Sequence, residues 1–218
     1  MAAKFTRRLV WVPIIHAQAD LGSMTGPVRE AYIRRMGKAQ FERHVKIIDA
    51  RWQTIRRQIE DLDLPWGEVR LYQDGLPEHG LASRIVRDLA EAGSANHRLL
   101  ADLMARGAAI TGTESADLLV EEYKLAQETL ALSDAAKSKV RAAQLKDLGR
   151  RLLDRRDEFI ARRIAETLEP GRIGLLFLGM LHSLAGRLPP DIQVIPLSDA
   201  RRALRPKRGP GPGKRAGP

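Results

Sequence analysis

The run Ile173-Gly174-Leu175-Leu176-Phe177-Leu178-Gly179-Met180-Leu181 carries no charged side chain and ends at His182. Nine residues are too few to cross a bilayer as a helix. A short, continuous apolar run of this kind fits a strand covered on both faces, the usual state of a strand inside a parallel sheet. Ile173 to Leu181 is therefore expected to be the central strand. Leu9-Val10-Trp11-Val12-Pro13-Ile14-Ile15 repeats the pattern near the N-terminus and ends at His16. Val69 to Tyr72 reads as a second strand in chain order, ending in Gln73-Asp74-Gly75-Leu76-Pro77. Gly107 to Thr111 reads as a small strand ending in Gly112-Thr113-Glu114-Ser115, and Ile192 to Ile195 as a last one after a Leu188-Pro189-Pro190-Asp191 turn.

Helical spacing fills the intervals. It runs from Val28 to Leu62, then from Leu81 to Ala105 with an interruption at Gly93-Ser94 where a new helix can be capped. Ser115 is a plausible N-cap for a helix with Leu118, Leu119, Tyr123 and Leu130 on its apolar face. A helix dense in Arg and Lys covers about 134–168 and stops at Glu169-Pro170-Gly171. Strands alternating with helices predict an α/β fold with an open, mostly parallel sheet flanked by helices. In such sheets ligands bind beyond the carboxyl ends of the strands. That rule selects His16, Asp20, Asp74, Glu114 and His182.

A chain of 218 residues with 44% hydrophobic residues can bury one core, so a single domain over 1–200 is expected. The net charge of +10 suggests a nucleic-acid partner until its distribution is considered. Residues 201–218 hold seven Arg or Lys and no acid, leaving only +3 on the other 200 residues. The Gly/Pro-rich segment 201–218 is expected to be a disordered basic tail, with weak attraction to polyanions and no stronger nucleic-acid role. The absence of cysteine removes disulfides and thiolate nucleophiles, and it points to the cytoplasm. A metal would need His, Asp or Glu ligands. No segment reads as a signal peptide or membrane span, so no membrane partner is expected.

His16 and His182 each close an apolar strand, and neutral imidazoles suit metal ligation or general base work. A lone histidine at a strand end is more simply a half-buried side chain bonded to a carbonyl. Two together suggest a shared site. Glu114 either stabilises a helix start or sits at a strand end as a ligand or water-activating carboxylate. Asp74 belongs to a tight Asp-Gly turn or lines the site. Asp20 and Ser23 lie in the glycine-containing loop after His16 and are candidates for substrate contact, and no Gly-x-Ser-x-Gly elbow supports Ser23 as a nucleophile. Arg156 stands among many helical cations, whose ordinary fate is solvation. His44, His79 and His97 have no apolar strand behind them and are expected at the surface.

Arg156-Asp157-Glu158-Phe159-Ile160-Ala161-Arg162-Arg163-Ile164, followed by Leu175 to Gly179-Met180-Leu181-His182, resembles the closing signature of the TraB, erythromycin-esterase, ChaN and Tiki-like superfamily. There an Arg-Asn helix precedes an apolar strand ending in Gly-x-x-His, and an earlier strand ends in a second Gly-x-x-His. Here the earlier motif is Pro13-Ile14-Ile15-His16, with proline for glycine; Asp157 replaces the asparagine, and Gly112-Thr113-Glu114 matches a Gly-x-Glu acidic position. The resemblance spans most of residues 9–197. It implies the family's α/β fold, two histidines facing one crevice, and Arg156 as an anchor for an anion or for Glu114. Several members are proposed or shown to be hydrolases, some metal-dependent, while others bind haem.

Two functional readings stay open. One is a hydrolase acting on a small-molecule or peptide substrate through catalytic His16, Glu114 and His182, with His16, Asp74, Glu114 and His182 holding a divalent ion such as zinc, manganese or iron. The other is a non-catalytic domain that binds a small ligand or regulates a partner, favoured by the φ-restricted Pro13 in the first motif. A working site requires His16, Glu114 and His182 to meet within roughly 4–8 Å.

Overall fold

A computed structural model describes residues 6–15, 25–133 and 139–205. Five parallel strands form one open sheet: β1 (Arg7–Ile14), β2 (Val69–Pro77), β3 (Ala109–Glu114), β4 (Ile173–Gly179) and β5 (Ile192–Pro196), in the order β3-β2-β4-β1-β5. The most apolar run is the middle strand. Six of its seven residues are buried, because neighbours flank β4 on both edges and side chains cover both faces.

One face carries Val10, Val12, Ile14, Leu71, Leu175 and Phe177, packed against α2 (Lys38–Glu60), α3 (Ala82–Glu91), α4 (Ala95–Ala105) and α7 (Leu197–Leu204). The four buried positions of α2 (Ile48, Trp52, Ile55 and Ile59) are spaced by four, three and four residues, one stripe of a helix. Gly37, at φ 84, separates α2 from α1 (Thr25–Met36), so the continuous helical spacing from Val28 is two helices. The other face carries Leu9, Tyr72, Leu176 and Leu178 under α6 (Lys139–Thr167), whose Ile160 and Ile164 are fully buried. α5 (Ala116–Ser133) lies against α6, and three ion pairs join them among the described residues: Arg155 to Glu121 at 2.6 Å, Arg141 to Glu128 and Arg156 to Glu122.

Expected caps form. The Ser94 hydroxyl accepts the His97 amide at 3.1 Å at the start of α4. His97 itself departs from expectation: it is buried, with Nδ1 2.7 Å from Ser94 Oγ, because that capping geometry folds its ring inward. α7 also extends the helical chain four residues into the segment expected to be a tail, since Leu197 and Ala200 are buried and Leu204 packs on the sheet face covered by α2. The remainder of that segment, 206–218, lies outside the described residues. Among the described residues no helix is long and apolar enough to cross a membrane.

Two local features shape the strand ends. Pro13 sits in an interior strand, yet it costs no ladder bond. The amides of Arg7 and Arg8 point to opposite neighbours, to Asp191 before β5 and to Arg172 before β4. By alternation the nitrogen of Pro13 faces the β5 side, where pairing has already ended at Trp11 and Pro196. The second feature is a bulge: Gln73 pairs with Gly112 but Pro77 pairs with Glu114, so β2 carries extra residues, with Gly75 at φ 74. The strand thus continues through a segment whose sequence suggests a loop, and Asp74 lies inside it. The bulged backbone presses on Gly112, where an added Cβ would stand 2.1 Å from the Pro77 carbonyl oxygen. Gly112→Ala is expected to destabilise the fold by about 3 kcal/mol or to prevent folding. Gly80→Ala, with nothing within 4 Å of its Cβ, should leave the denaturant midpoint nearly unchanged.

Candidate functional site

The chain leaving β2 turns outward to β3, whereas the chain leaving β4 passes over β1 to β5. Their loops part between β2 and β4, which opens a crevice at the carboxyl ends of those strands. Five ionisable side chains gather there, from β2, β3, α6 and the turn after β4.

Arg156 is the hub. It lies in the interior of α6, on the same stripe as Ile160 and Ile164, and it is only 4% exposed. Its Nε and Nη2 donate to the two carboxylate oxygens of Glu114 at 2.6 and 2.7 Å, a bidentate fork. Nη2 also donates to Asp74 Oδ1 at 3.0 Å, and Nη1 pairs with Glu122 of α5. The Gly75 amide donates to Glu114 Oε1 at 2.8 Å, and the Gly179 amide to Asp74 Oδ2 at 2.9 Å. The bulge matters here, since it presents the Asp74 side chain to Arg156 and to the Gly179 amide and aims the Gly75 amide at Glu114 of β3.

Asp157, next along α6, holds the histidine. His182 Nδ1 stands 2.6 Å from Asp157 Oδ1, and Asp157 Oδ2 accepts the Ser183 amide at 2.9 Å. The other ring nitrogen, Nε2, faces Asp74 Oδ2 at 3.5 Å. β4 ends at Gly179 rather than running to the histidine. A turn closed by the His182 amide on the Gly179 carbonyl exposes Met180 and Leu181 and brings the ring back over the crevice.

Burial alone would lower the His182 pKa from its ordinary 6.5, but the hydrogen bonds to Asp157 and Asp74 and the Asp74 charge outweigh it and hold the value at about 9. Glu114 moves up from the carboxylate range, chiefly through burial and further through Asp74, against the pull of Arg156. With His182 neutral, one guanidinium faces three buried carboxylates, Asp74, Glu114 and Asp157, a charge of −2. A proton on His182 reduces that charge to −1. A single divalent cation, with His182 neutral, cancels it.

Asp74, Glu114 and His182 each present a ligand atom, all within 4.8 Å of one another, so this group can hold a metal ion. The donor set of two carboxylates and one imidazole suits a divalent ion. Asp157 on Nδ1 is the partner that a metal-bound histidine needs to fix its tautomer.

Of the expected site residues, Asp74, Glu114, Arg156 and His182 converge. Glu114 is fully buried rather than turned outward as a helix cap. Asp74 is held in a strand bulge rather than in a free turn. Arg156 departs from the ordinary fate of a helical cation and is the anchor for Glu114. His16, Asp20 and Ser23 lie outside the described residues. Asp157 is a participant absent from the expected set, although its place beside Arg156 in the motif was its signal. Next to the cluster a groove of about 1060 Å³ runs between α1, α5 and α6, with Leu125, Leu145, Leu152 and Leu153 among its walls and Arg156 and Glu122 at its inner side.

Removing the hub leaves buried carboxylates uncompensated, so Arg156→Met is expected to cost about 3–5 kcal/mol in urea denaturation. For His182 the raised folded pKa gives stability that is complete below pH 6.5 and is lost as pH rises through about 9. Between pH 6 and pH 10 the parent should lose on the order of 3 kcal/mol more than His182→Gln. Asp157→Asn should lower the His182 pKa measured by NMR titration, as the partner on Nδ1 loses its charge. The chain matches no family model, no curated protein and no solved structure.

Proposed function

We propose that the protein is a hydrolase whose centre is the Asp74, Glu114 and His182 group, with a divalent ion as its working form. The observation that carries this reading is the charge of the buried cluster, −2 with neutral His182, together with three convergent donors at the carboxyl ends of β2, β3 and β4. The resemblance to the TraB and erythromycin-esterase group supports the same reaction class.

Each residue has a task in this reading. Arg156 fixes both carboxylates by the fork to Glu114 and the bond to Asp74, so neither has to be ordered when substrate arrives. Asp157 accepts the Nδ1 proton of His182 and leaves Nε2 to face the cluster. Glu122, half exposed at the groove, takes the remaining edge of Arg156. The α6 groove admits the substrate from the α5 side. When bound, the ion would polarise a carbonyl or phosphoryl oxygen and acidify a water. His16, expected as a further ligand, follows β1, two strands from β2 in the sheet.

A second reading rests on the saturation of the network. Both oxygens of Glu114 and both of Asp74 already accept hydrogen bonds, as in a purely structural ion cluster beneath a non-catalytic ligand site.

Titration calorimetry with Zn²⁺ and Mn²⁺ in buffers of different ionisation enthalpy separates the two. The expected result is one ion per chain with release of the His182 proton, so that affinity rises with pH. Glu114→Gln and His182→Ala should each weaken binding at least about tenfold. Metal-loaded protein should hydrolyse members of a chromogenic ester and phosphoester panel, and His182→Ala should lower kcat/KM by about 10²-fold or more. Absence of binding by both ions, with unchanged activity in both variants, would remove the metal-dependent reading.

A further inference from the structure

α1, α5 and α6 each turn one stripe of side chains toward the groove beside the cluster. On α1 the stripe is Val28, Ala31 and Tyr32, and on α6 it is Leu145, Gly149, Leu152 and Arg156, positions that recur every three or four residues. Leu125, Ala126 and Leu130 supply the α5 wall. Apolar stripes of this kind ordinarily close on one another, because surface left in water forgoes roughly 25 cal/mol per Å². Here they stand apart. α1 buries none of its residues, and about 1060 Å³ remains between the three helices, at the upper limit for a small-molecule site.

The groove is long, and one residue keeps it open. From Leu145 to Arg156 the α6 wall runs about 16 Å, roughly the length of an extended twelve-carbon chain. Gly149 lies midway, in a helix interior where glycine costs about 1 kcal/mol relative to alanine. An added Cβ there would meet only Leu125 Cδ2, at 3.6 Å, an ordinary contact. Packing of α5 on α6 therefore does not require glycine, whereas a longer side chain at 149 would enter the groove. The inner end is the cluster itself, lined by Arg156, Glu122 and Leu181 of the turn that carries His182. Arg34, Arg35 and Arg150 also line the groove, Arg150 pairing with Asp147 as well. Glu122, the acidic wall residue, is paired with Arg156, so the groove favours an anionic amphiphile over a cationic one.

We infer that this groove holds the hydrocarbon chain of an acyl group, and that the substrate of the site is a straight-chain acyl ester of roughly eight to twelve carbons. The binding stands on the groove alone, while the chemistry rests on the hydrolase reading. In that reaction the oxygen of water bonds to the acyl carbon, the ester C–O bond breaks, and the leaving alkoxide takes a proton from the water. The products are an alcohol and a fatty acid, which ionises to the anionic amphiphile that the arginines suit.

The test titrates decanoate, below its micelle concentration, into the full metal-free chain by calorimetry, beside hexanoate and decyltrimethylammonium. One decanoate per chain should bind, at least about tenfold tighter than hexanoate, since four more methylenes leave water. Decyltrimethylammonium should bind more weakly than decanoate. Gly149→Leu replaces a helix glycine with a better helix former, so its folding is not threatened, and it should weaken decanoate at least about tenfold. With metal-loaded protein, kcat/KM for 4-nitrophenyl esters should rise at least about tenfold from acetyl to decanoyl in the parent and lose that rise in Gly149→Leu. The inference is overturned if decanoate does not bind, binds no better than hexanoate or decyltrimethylammonium, or is unaffected by Gly149→Leu. Chain-dependent binding with no ester cleaved would keep the acyl site and remove the hydrolase reading. Ester cleavage indifferent to chain length would keep the hydrolase reading and overturn this one.

Discussion

A buried guanidinium has to be matched by carboxylates, and in this chain that requirement organises the strand ends. Arg156 cannot lie 4% exposed unless Glu114 and Asp74 reach it, and they reach it only because β2 bulges at Asp74 and Gly75. The bulge in turn has room only because residue 112 has no side chain. The ion cluster and the backbone irregularity are thus one feature seen at two levels. Desolvation makes it expensive to assemble and expensive to break.

The same cluster sets the electrical character of the site. Arg156 and Asp157 are consecutive, yet they serve different partners, since successive helical side chains point about 100° apart. One fixes carboxylates and the other fixes an imidazole. A proton on His182 and a cation among the three donors are alternative answers to the same excess of negative charge. That competition ties any metal affinity to pH.

Much of this was legible from residues alone. The uncharged run at 173–181 reads as the central strand because only a strand shielded on both faces tolerates it, and Ser94 reads as a cap because its hydroxyl replaces a missing backbone partner. Glu114 and His182 are selected by their positions at strand ends. Other features turn on tertiary partners that no local pattern encodes. Asp157 looks like one more solvated acid in a charged helix until His182 folds back over it. His97 looks exposed until its own cap is drawn in atomic detail. Gln73 to Pro77 has turn composition, and only pairing with β3 keeps it extended.

The cluster is also dispersed along the chain. Asp74, Glu114, Arg156 with Asp157, and Gly179 with His182 come from four separate elements, and the bond from the Gly179 amide to Asp74 closes a span of 105 residues. Contacts this distant in sequence form late, after the intervening loop entropy has been met by the core. During synthesis a nascent chain that already displays the first three strands and α6 still lacks the strand that lies between β2 and β1. Until that run leaves the ribosome, neither the Gly179 amide nor the His182 ring can reach Asp74, so the cluster closes only when nearly the whole sheet has been made.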